Sequence, residues 1–395
     1  MNDLVREYVL LGLRFDRLVD GFVDAFTGDP ALRAAVENGP VPSAAALAKR
    51  ALDLRADLPS SGLPPERAAF LDGQLAALAV SGRKLAGENV GFVDEVESYF
   101  QVRIEPGSAD DYAAAHAALD ELLPGDGPLL DRYVAWREAD VVPPDRLEAA
   151  VHAFSSDLRD RVRATYPLDE REVVEYQVVT DKPWNGFNYY LGDYRSRVAI
   201  NADLPMRKAD LPRLVAHESY PGHHTEHCRK ERLLVDGAGH AEHTVFLVNT
   251  PECLMAEGLA DLGVRIAVGR EWGGWAREVY ADLGIAFDGP LAEAVGRAAA
   301  PLNSVRQDAA ILLHDRGATE DEAVAHLVRW GLVSEERARK SLAFFTDPLW
   351  RAYTSTYVEG YRLLGRWLDL GDAGEQFRRL LDEPLTPRAI QEAAA

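Results

Sequence analysis

The stretch His217-Glu218-Ser219-Tyr220-Pro221-Gly222-His223-His224 gathers the side chains best suited to chemistry. Imidazole and carboxylate groups are the usual ligands of hydrolytic zinc, three of them leaving a fourth position for water. In the common arrangement a His followed at once by a Glu is joined by a second His four residues on, on the same helical face. Here that position is Pro221, which cannot bind a metal. His217 and His224 lie seven residues apart, and a straight helix would hold them about 10 Å apart along its axis. His217 and His223 would point to different faces. One ion can therefore be shared only if Pro221-Gly222 breaks the helix, because Pro removes an internal hydrogen bond and Gly opens backbone conformations closed to other residues. A bulge absorbing two residues would bring His223 to the place of the missing i+4 ligand, with His224 as its rival. With His227 close behind, the cluster is dense for a chain holding 10 His. That density favours a metal site over a helix that ends beside surface histidines.

A third ligand is expected from a neighbouring helix. Glu257, in Met255-Ala256-Glu257-Gly258-Leu259-Ala260-Asp261, is the leading candidate, since Gly258 permits close helix approach. Asp261 stands one turn on, on the same face, where it can orient a ligand His through that ring's second nitrogen. Glu252 is the weaker candidate, because an acid beside Pro251 at a helix start is favoured in any case.

These residues, His217-Glu218-x-x-Pro221-Gly222-His223-His224 followed by Glu257-Gly258-Leu259-Ala260, resemble the HExxPGHH and EGWA-like signatures of a bacterial family catalogued as a domain of unknown function, close to the gluzincin metallopeptidases. Leu11 to Leu18, Ala199-Ile200-Asn201 and Tyr357-Val358-Glu359-Gly360 extend the likeness over most of the chain, with Leu259 standing where the family has Trp. The resemblance implies a large, mainly α, zincin-like metallopeptidase fold with a deep cleft and a small β-sheet beside the active-site helix. It also implies one zinc ion per chain, held by His217, His223 and Glu257, since in gluzincins with a stretched motif the His directly after Gly is a ligand. Glu218 would be the general base, and Asp261 the carboxylate behind a ligand His.

Zinc lowers the pKa of bound water to about 7 and polarises a carbonyl. Glu218 would pass the water's proton to the leaving amine. Tyr357 is the expected donor to the oxyanion, with Tyr353 and Tyr361 as rivals, and His224 is expected as a supporting or oxyanion-binding group. Ala199 and Asn201, on a strand just before the motif, are expected to pair with an extended substrate at a sheet edge. Arg195, Arg197 and Arg351 are candidate anchors for a substrate carboxylate, Arg351 being preferred. The expected activity is hydrolysis of short peptides. A metal-dependent amidase acting on a non-peptide amide, and a non-catalytic scaffold with a structural metal, are the alternatives, and the presence of Glu218 argues against the scaffold.

The elements that must position these groups are mostly helical. Apolar residues from Leu4 to Phe26 recur at helical spacing and predict one helix, ended by Asp29-Pro30. Ser43, Pro64-Pro65, Ser108 and Pro143-Pro144 mark further helix starts, so residues 1–165 are expected to form a helical N-terminal lobe. Residues 166–395 are expected to form the metal-binding lobe of a single catalytic unit. Val173 to Val179 and Ser196 to Asn201 predict strands, Thr319 and Ser334 predict helix caps, and Pro348 interrupts a long C-terminal helical pattern.

Composition bounds the partners. The 395 residues, 47% hydrophobic, can bury a large core, and the net charge of −21 disfavours nucleic acid and anionic membrane. Two cysteines in a chain of this length suit a reducing compartment. The N-terminus lacks the pattern of a secretory leader, and a cytoplasmic protein is expected. Oligomeric state is left open.

Overall fold

The computed structural model describes residues 1–182, 184–203 and 205–394, and helices dominate it. The first helix, Asp3–Asp16, is capped by the Asn2 side chain and turns Val5, Tyr8, Val9, Leu11 and Phe15 inward. The expected continuation to Phe26 does not occur. Gly21 takes a left-handed backbone, Asp16 Oδ1 accepts from the Val23 amide at 3.0 Å, and Val23–Phe26 forms a strand, β1. A run of alternating apolar residues fits either period over so short a span, and pairing decides it. Several expected helix starts recur. The Ser43 and Ser108 side chains accept from the third residue of the following helix, Thr319 and Glu322 form a reciprocal capping box, and Ser334 accepts from the Arg337 amide.

The sheet before the motif has three strands: β2 (Val173–Val179), β3 (Gly186–Gly192) and β4 (Arg195–Asn201), in the order β2-β4-β3. β2 runs parallel to β4 and β3 antiparallel to it. The Ala199–Asn201 strand is therefore central, with both sides hydrogen-bonded, and it offers no edge to a substrate. Ala199 is buried, and the Asn201 amide donates to the Lys182 and Trp184 carbonyls at 2.9 and 3.0 Å. The expectation that Ala199 and Asn201 bind substrate at an edge is corrected accordingly; β3 is the edge nearest the motif. A second sheet pairs β1 antiparallel with β5 (Val245–Leu247), and its register slips between Val23 and Ala25.

The expected boundary at residue 165 does not separate two cores. Phe154, Leu158 and Val162 pack in one cluster with Ile200, Val215, Leu259 and Trp275. Leu11, Phe15 and Leu71 share another with Val245 and Leu247. Burial of one helix face against distant partners stabilises each element more than local propensity does. Packing therefore runs across that position, with residues from both expected lobes in shared clusters. Among the described residues no helix is long and apolar enough to cross a membrane.

Candidate metal centre

The helix Leu211–Glu218 starts with Pro212 in its first turn, where a missing amide hydrogen is harmless. It buries Leu211, Val215 and Ala216 in the core and ends on the pair His217-Glu218. The next helix, His223–Lys230, begins five residues later. Between them the chain turns sharply: the Gly222 amide donates back to the Ala216 carbonyl at 2.9 Å, and the Thr225 amide to the Ser219 carbonyl at 3.2 Å. The turn requires glycine, because a Cβ at Gly222 would stand 1.9 Å from the His217 carbonyl oxygen. A full break, rather than a bulge within one helix, returns His223 to His217.

The two imidazoles meet through their Nε2 atoms at 3.1 Å. Glu257, on the buried helix Pro251–Asp261, places Oε2 3.4 Å from His217 Nε2 and Oε1 3.5 Å from His223 Nε2. Separations of this size are those of donors that share one ion at about 2 Å, the distance zinc keeps from N and O ligands. Glu257 Oε2 is buried without a hydrogen-bond partner. The donor set and this orphaned oxygen suit one divalent cation. Two members are held from behind: Asp261 Oδ1 lies 2.9 Å from His217 Nδ1, and the Tyr353 hydroxyl donates to Glu257 Oε1 at 2.7 Å; Glu226 Oε2 stands 4.0 Å from His223 Nδ1, beyond hydrogen-bond distance. Such contacts fix ring orientation and ligand basicity.

Charge in the pocket tells the same story. Burial would lower the His217 and His223 imidazoles, but Asp261 and Glu257 hold His217 well above its usual value, and Glu226 with Glu257 raises His223 to about 10. Burial would raise Glu257, yet His217 and His223 hold it far below the usual carboxylate range. The surroundings stabilise positive charge. Glu218 is 6% exposed, and its carboxylate is raised, first by burial and then by Glu257 and Asp261, against the pull of His217 and His223. Among the described residues no hydrogen bond or ion pair engages that carboxylate. Asn188 of β3 donates to the Glu218 carbonyl at 2.5 Å, and a methyl at Gly186 would lie 3.3 Å from Glu218 Oε1, so the start of β3 runs beside the acid.

His224 goes elsewhere. It is fully buried, with Nε2 3.0 Å from Glu172 Oε2 and Nδ1 2.9 Å from Ser196 Oγ. Glu172 also accepts from Tyr220 Oη at 2.6 Å and from Arg159 and Arg163 at 2.7 Å each. The expected oxyanion or supporting role of His224 is therefore corrected: it pins the turn to the sheet, as does Ser219, which accepts from Tyr176 Oη at 2.8 Å. Glu172 and Ser196 lie outside the motif, and nothing in their spacing pointed to them.

The C-terminal tyrosines reach the site through close backbone packing. A π-helical turn, Thr356–Gly360, touches the Glu257 helix so closely that a Cβ at Gly258 would stand 2.5 Å from the Gly360 carbonyl carbon. Tyr357 lies with its ring 6.5 Å from that of His217 and 5.7 Å from that of Tyr353. It is 42% exposed, so it is reachable from solvent, and its hydroxyl is held well above the usual tyrosine value by burial and then by Glu257. Arg351 is not at the site. It is engaged by Glu95, with Nε 3.1 Å from Oε2, and its expected role as a substrate anchor is corrected. Glu252, the weaker ligand candidate, pairs with Lys230 at 3.1 Å.

One acid missed in the sequence is within electrostatic reach of His223, Glu257 and Glu218. Asp24 sits at the register slip of β1, a place where bulges re-aim side chains. Burial raises its carboxyl to about 7; His223 opposes the shift, and Glu257 and Glu218 add to it. Its only signal in the sequence was an acid inside the apolar run Phe22-Val23-Asp24-Ala25-Phe26.

No family model matches the chain, and no curated protein does. Two solved structures share its fold. One, described as "the putative lipoprotein from Colwellia psychrerythraea", is 15% identical with a TM-score of 0.52, over 88% of this chain and 68% of that one. The other, "a putative lipoprotein of unknown function from Shewanella oneidensis", is 13% identical with a TM-score of 0.51, over 92% of this chain and 75% of that one. At such identities the likeness concerns the fold alone.

Proposed function

We propose that this protein is a metal-dependent hydrolase of peptide bonds in short substrates, zincin-like in its site, with one zinc ion held by His217, His223 and Glu257. The observation that carries the proposal is the convergence of three ligand side chains, His217, His223 and Glu257, whose nearest donor atoms are 3.1 to 3.5 Å apart pair by pair, with Glu218 unengaged beside them. A bound zinc ion would supply an activated water and polarise the scissile carbonyl.

The chain's own groups do the rest. Glu218 follows a ligand in sequence and carries a raised pKa, which suits a carboxylate that accepts a proton and then releases it to the leaving amine. Tyr357, protonated at neutral pH and solvent-accessible, donates a hydrogen bond to the oxygen that gains charge. Tyr353 is committed to Glu257 and positions that ligand. The edge strand β3, which begins against Glu218, pairs with an extended substrate backbone in the role first expected of Ala199 and Asn201.

The test is Glu218→Gln. Removing the general base should cut peptide hydrolysis by about 10²- to 10⁴-fold while bound zinc is retained. Unchanged turnover of short peptides by the variant would end the proposal.

A further inference from the structure

Exposed strand edges invite pairing with other chains, and proteins ordinarily blunt them with charge or Pro. The edge strand β3 does neither. It reads Gly-Phe-Asn-Tyr-Tyr-Leu-Gly, without a charged residue or Pro, in a chain that is 27% charged. Its register fixes which backbone groups are free. The Asn185 carbonyl accepts from the Asn201 amide at 2.9 Å, and the pairing continues as Gly186 with Ile200, Phe187 with Ala199 and Asn188 with Val198. Bonded and non-bonded pairs alternate in an antiparallel ladder. Gly186 and Asn188 therefore turn their amides and carbonyls away from β4, and among the described residues no backbone group pairs with them.

This open stretch adjoins the proposed general base, since a methyl at Gly186 would lie 3.3 Å from Glu218 Oε1 and Asn188 holds the Glu218 carbonyl. At its other end β3 is closed off, where a Cβ at Gly192 would stand 3.2 Å from Thr27 Cγ2. Side chains alternate along the same strand. Asn188 and Tyr190 are buried, whereas Tyr189 is 38% and Leu191 49% exposed, so Phe187, Tyr189 and Leu191 share the outer face. The rings of Phe187 and Tyr189 lie 4.6 Å apart and those of Trp184 and Phe187 5.7 Å apart, with Trp184 and Phe187 half-buried. Single exposed apolar residues are ordinary, but three aromatic rings in succession beside unpaired backbone mark a binding surface. An extended peptide satisfies both features at once, its amides and carbonyls on the edge and its side chains on the rings. The open half of β3 is short, which suits a short peptide better than a sheet shared between two copies of the chain.

We propose that Trp184, Phe187 and Tyr189 form a specificity site for an aromatic or large apolar side chain of a peptide paired along β3, close to the bond to be cleaved. The proposal rests on the hydrolase reading above and gives it a substrate class, extended short peptides that carry such a side chain. A substrate residue opposite Phe187 or Tyr189 turns its side chain to their face, and its two neighbours turn theirs toward the Glu218 side.

The test measures binding without turnover. N-acetyl-pentaalanine amide, and the same peptide with Phe at its centre, are titrated calorimetrically into zinc-equilibrated Glu218→Gln protein. The titrations are repeated with Glu218→Gln/Tyr189→Thr and Glu218→Gln/Val178→Ala. Thr removes the ring and keeps strand propensity, and Val178, 50% exposed on β2, controls for any exposed apolar side chain. The Phe peptide should bind about fivefold or more tightly than the alanine peptide in the first and third proteins, and less than about twofold more tightly in the second. Equal binding in the first protein, an undiminished preference in the second, or its loss in the third overturns the proposal. So does a wild type that sediments as a dimer and is dissociated by Tyr189→Thr, because a second copy would then cover the rings. With wild type, moving the Phe by one residue should move the cleaved bond by one residue, and a bond cleaved at one place regardless of the Phe also overturns it. Cleavage without any preference for Phe removes the specificity site and leaves the hydrolase. A Phe preference in binding with no peptide cleaved by wild type leaves the peptide site standing and removes the hydrolase.

Discussion

Among the described residues, two His/Glu clusters have donor atoms close enough to share an ion: His217, His223 and Glu257, and, beginning ten residues after the helix His223–Lys230, His240, Glu242 and His243. Both contain buried atoms without hydrogen-bond partners, Glu257 Oε2 in one and both ring nitrogens of His243 in the other. They differ in what surrounds them. The first is backed by Asp261 and Glu226, which favour positive charge, and by the Tyr353 hydroxyl, which keeps Glu257 a carboxylate. In the second, Arg67 grips Glu242 with two hydrogen bonds of 2.6 Å, and His240 is lowered by burial and then by Arg67. A cation already fills the role an ion would take. Donor proximity is therefore a weak criterion by itself, and the charge of the neighbours decides.

The comparison can be broken most forcefully at the two glutamates. Glu257→Ala should lower zinc affinity by about a thousandfold or more, since one of three protein ligands is lost. Glu242→Ala should leave zinc binding unchanged and instead destabilise the fold by about 3 to 5 kcal/mol in chemical denaturation, because the largely buried Arg67 is left alone. Reversal of the two outcomes would mean that the clusters have been assigned the wrong way round. A smaller effect is expected one contact further out. Asp261→Asn should weaken zinc binding by about 10- to 100-fold in competition with a chelator, and no loss would mean that His217 is oriented by something else.

His223 and His224 give the same contrast at closer range, and they mark how far the sequence could be read. The His-Glu pair, the need for a break at Pro221-Gly222, and the partners Glu257 and Asp261 followed from residue type and spacing. Which of two adjacent histidines turns toward His217 did not. Consecutive residues on a helix point about 100° apart, so only one can face the site, and the choice depends on Glu172 and Ser196, which arrive from another part of the chain. Asp24 was hidden for a related reason. It comes from a segment without a motif, placed by the β1–β5 pairing. The edge strand was misplaced because strand order in a sheet depends on pairing that no local pattern contains.

The Glu172 hub makes the structural role of His224 testable through pH. Burial would raise the Glu172 carboxylate, but hydrogen bonds from His224, Tyr220 and Arg159 hold it at about 2, below its ordinary 4.5. A carboxyl depressed by folding stabilises the native state above its unfolded pKa and loses that contribution as pH falls through the folded one. The wild-type advantage over Glu172→Gln in melting temperature should therefore be constant above about pH 5 and shrink between 4.5 and about 2. An advantage that instead grew in acid would contradict the assigned charges. The smallest effect is expected at Tyr353→Phe, where one hydrogen bond to Glu257 is lost and zinc affinity should fall by about fivefold.

The central claim, that the broken helix assembles one metal site from His217, His223 and Glu257, is tested most directly by elemental analysis of the purified protein after equilibration with zinc and removal of excess. Wild type and His243→Ala should each retain one zinc per chain, and His217→Ala and His223→Ala should retain almost none. Stoichiometric zinc in both His217→Ala and His223→Ala, or its loss in His243→Ala alone, would contradict it.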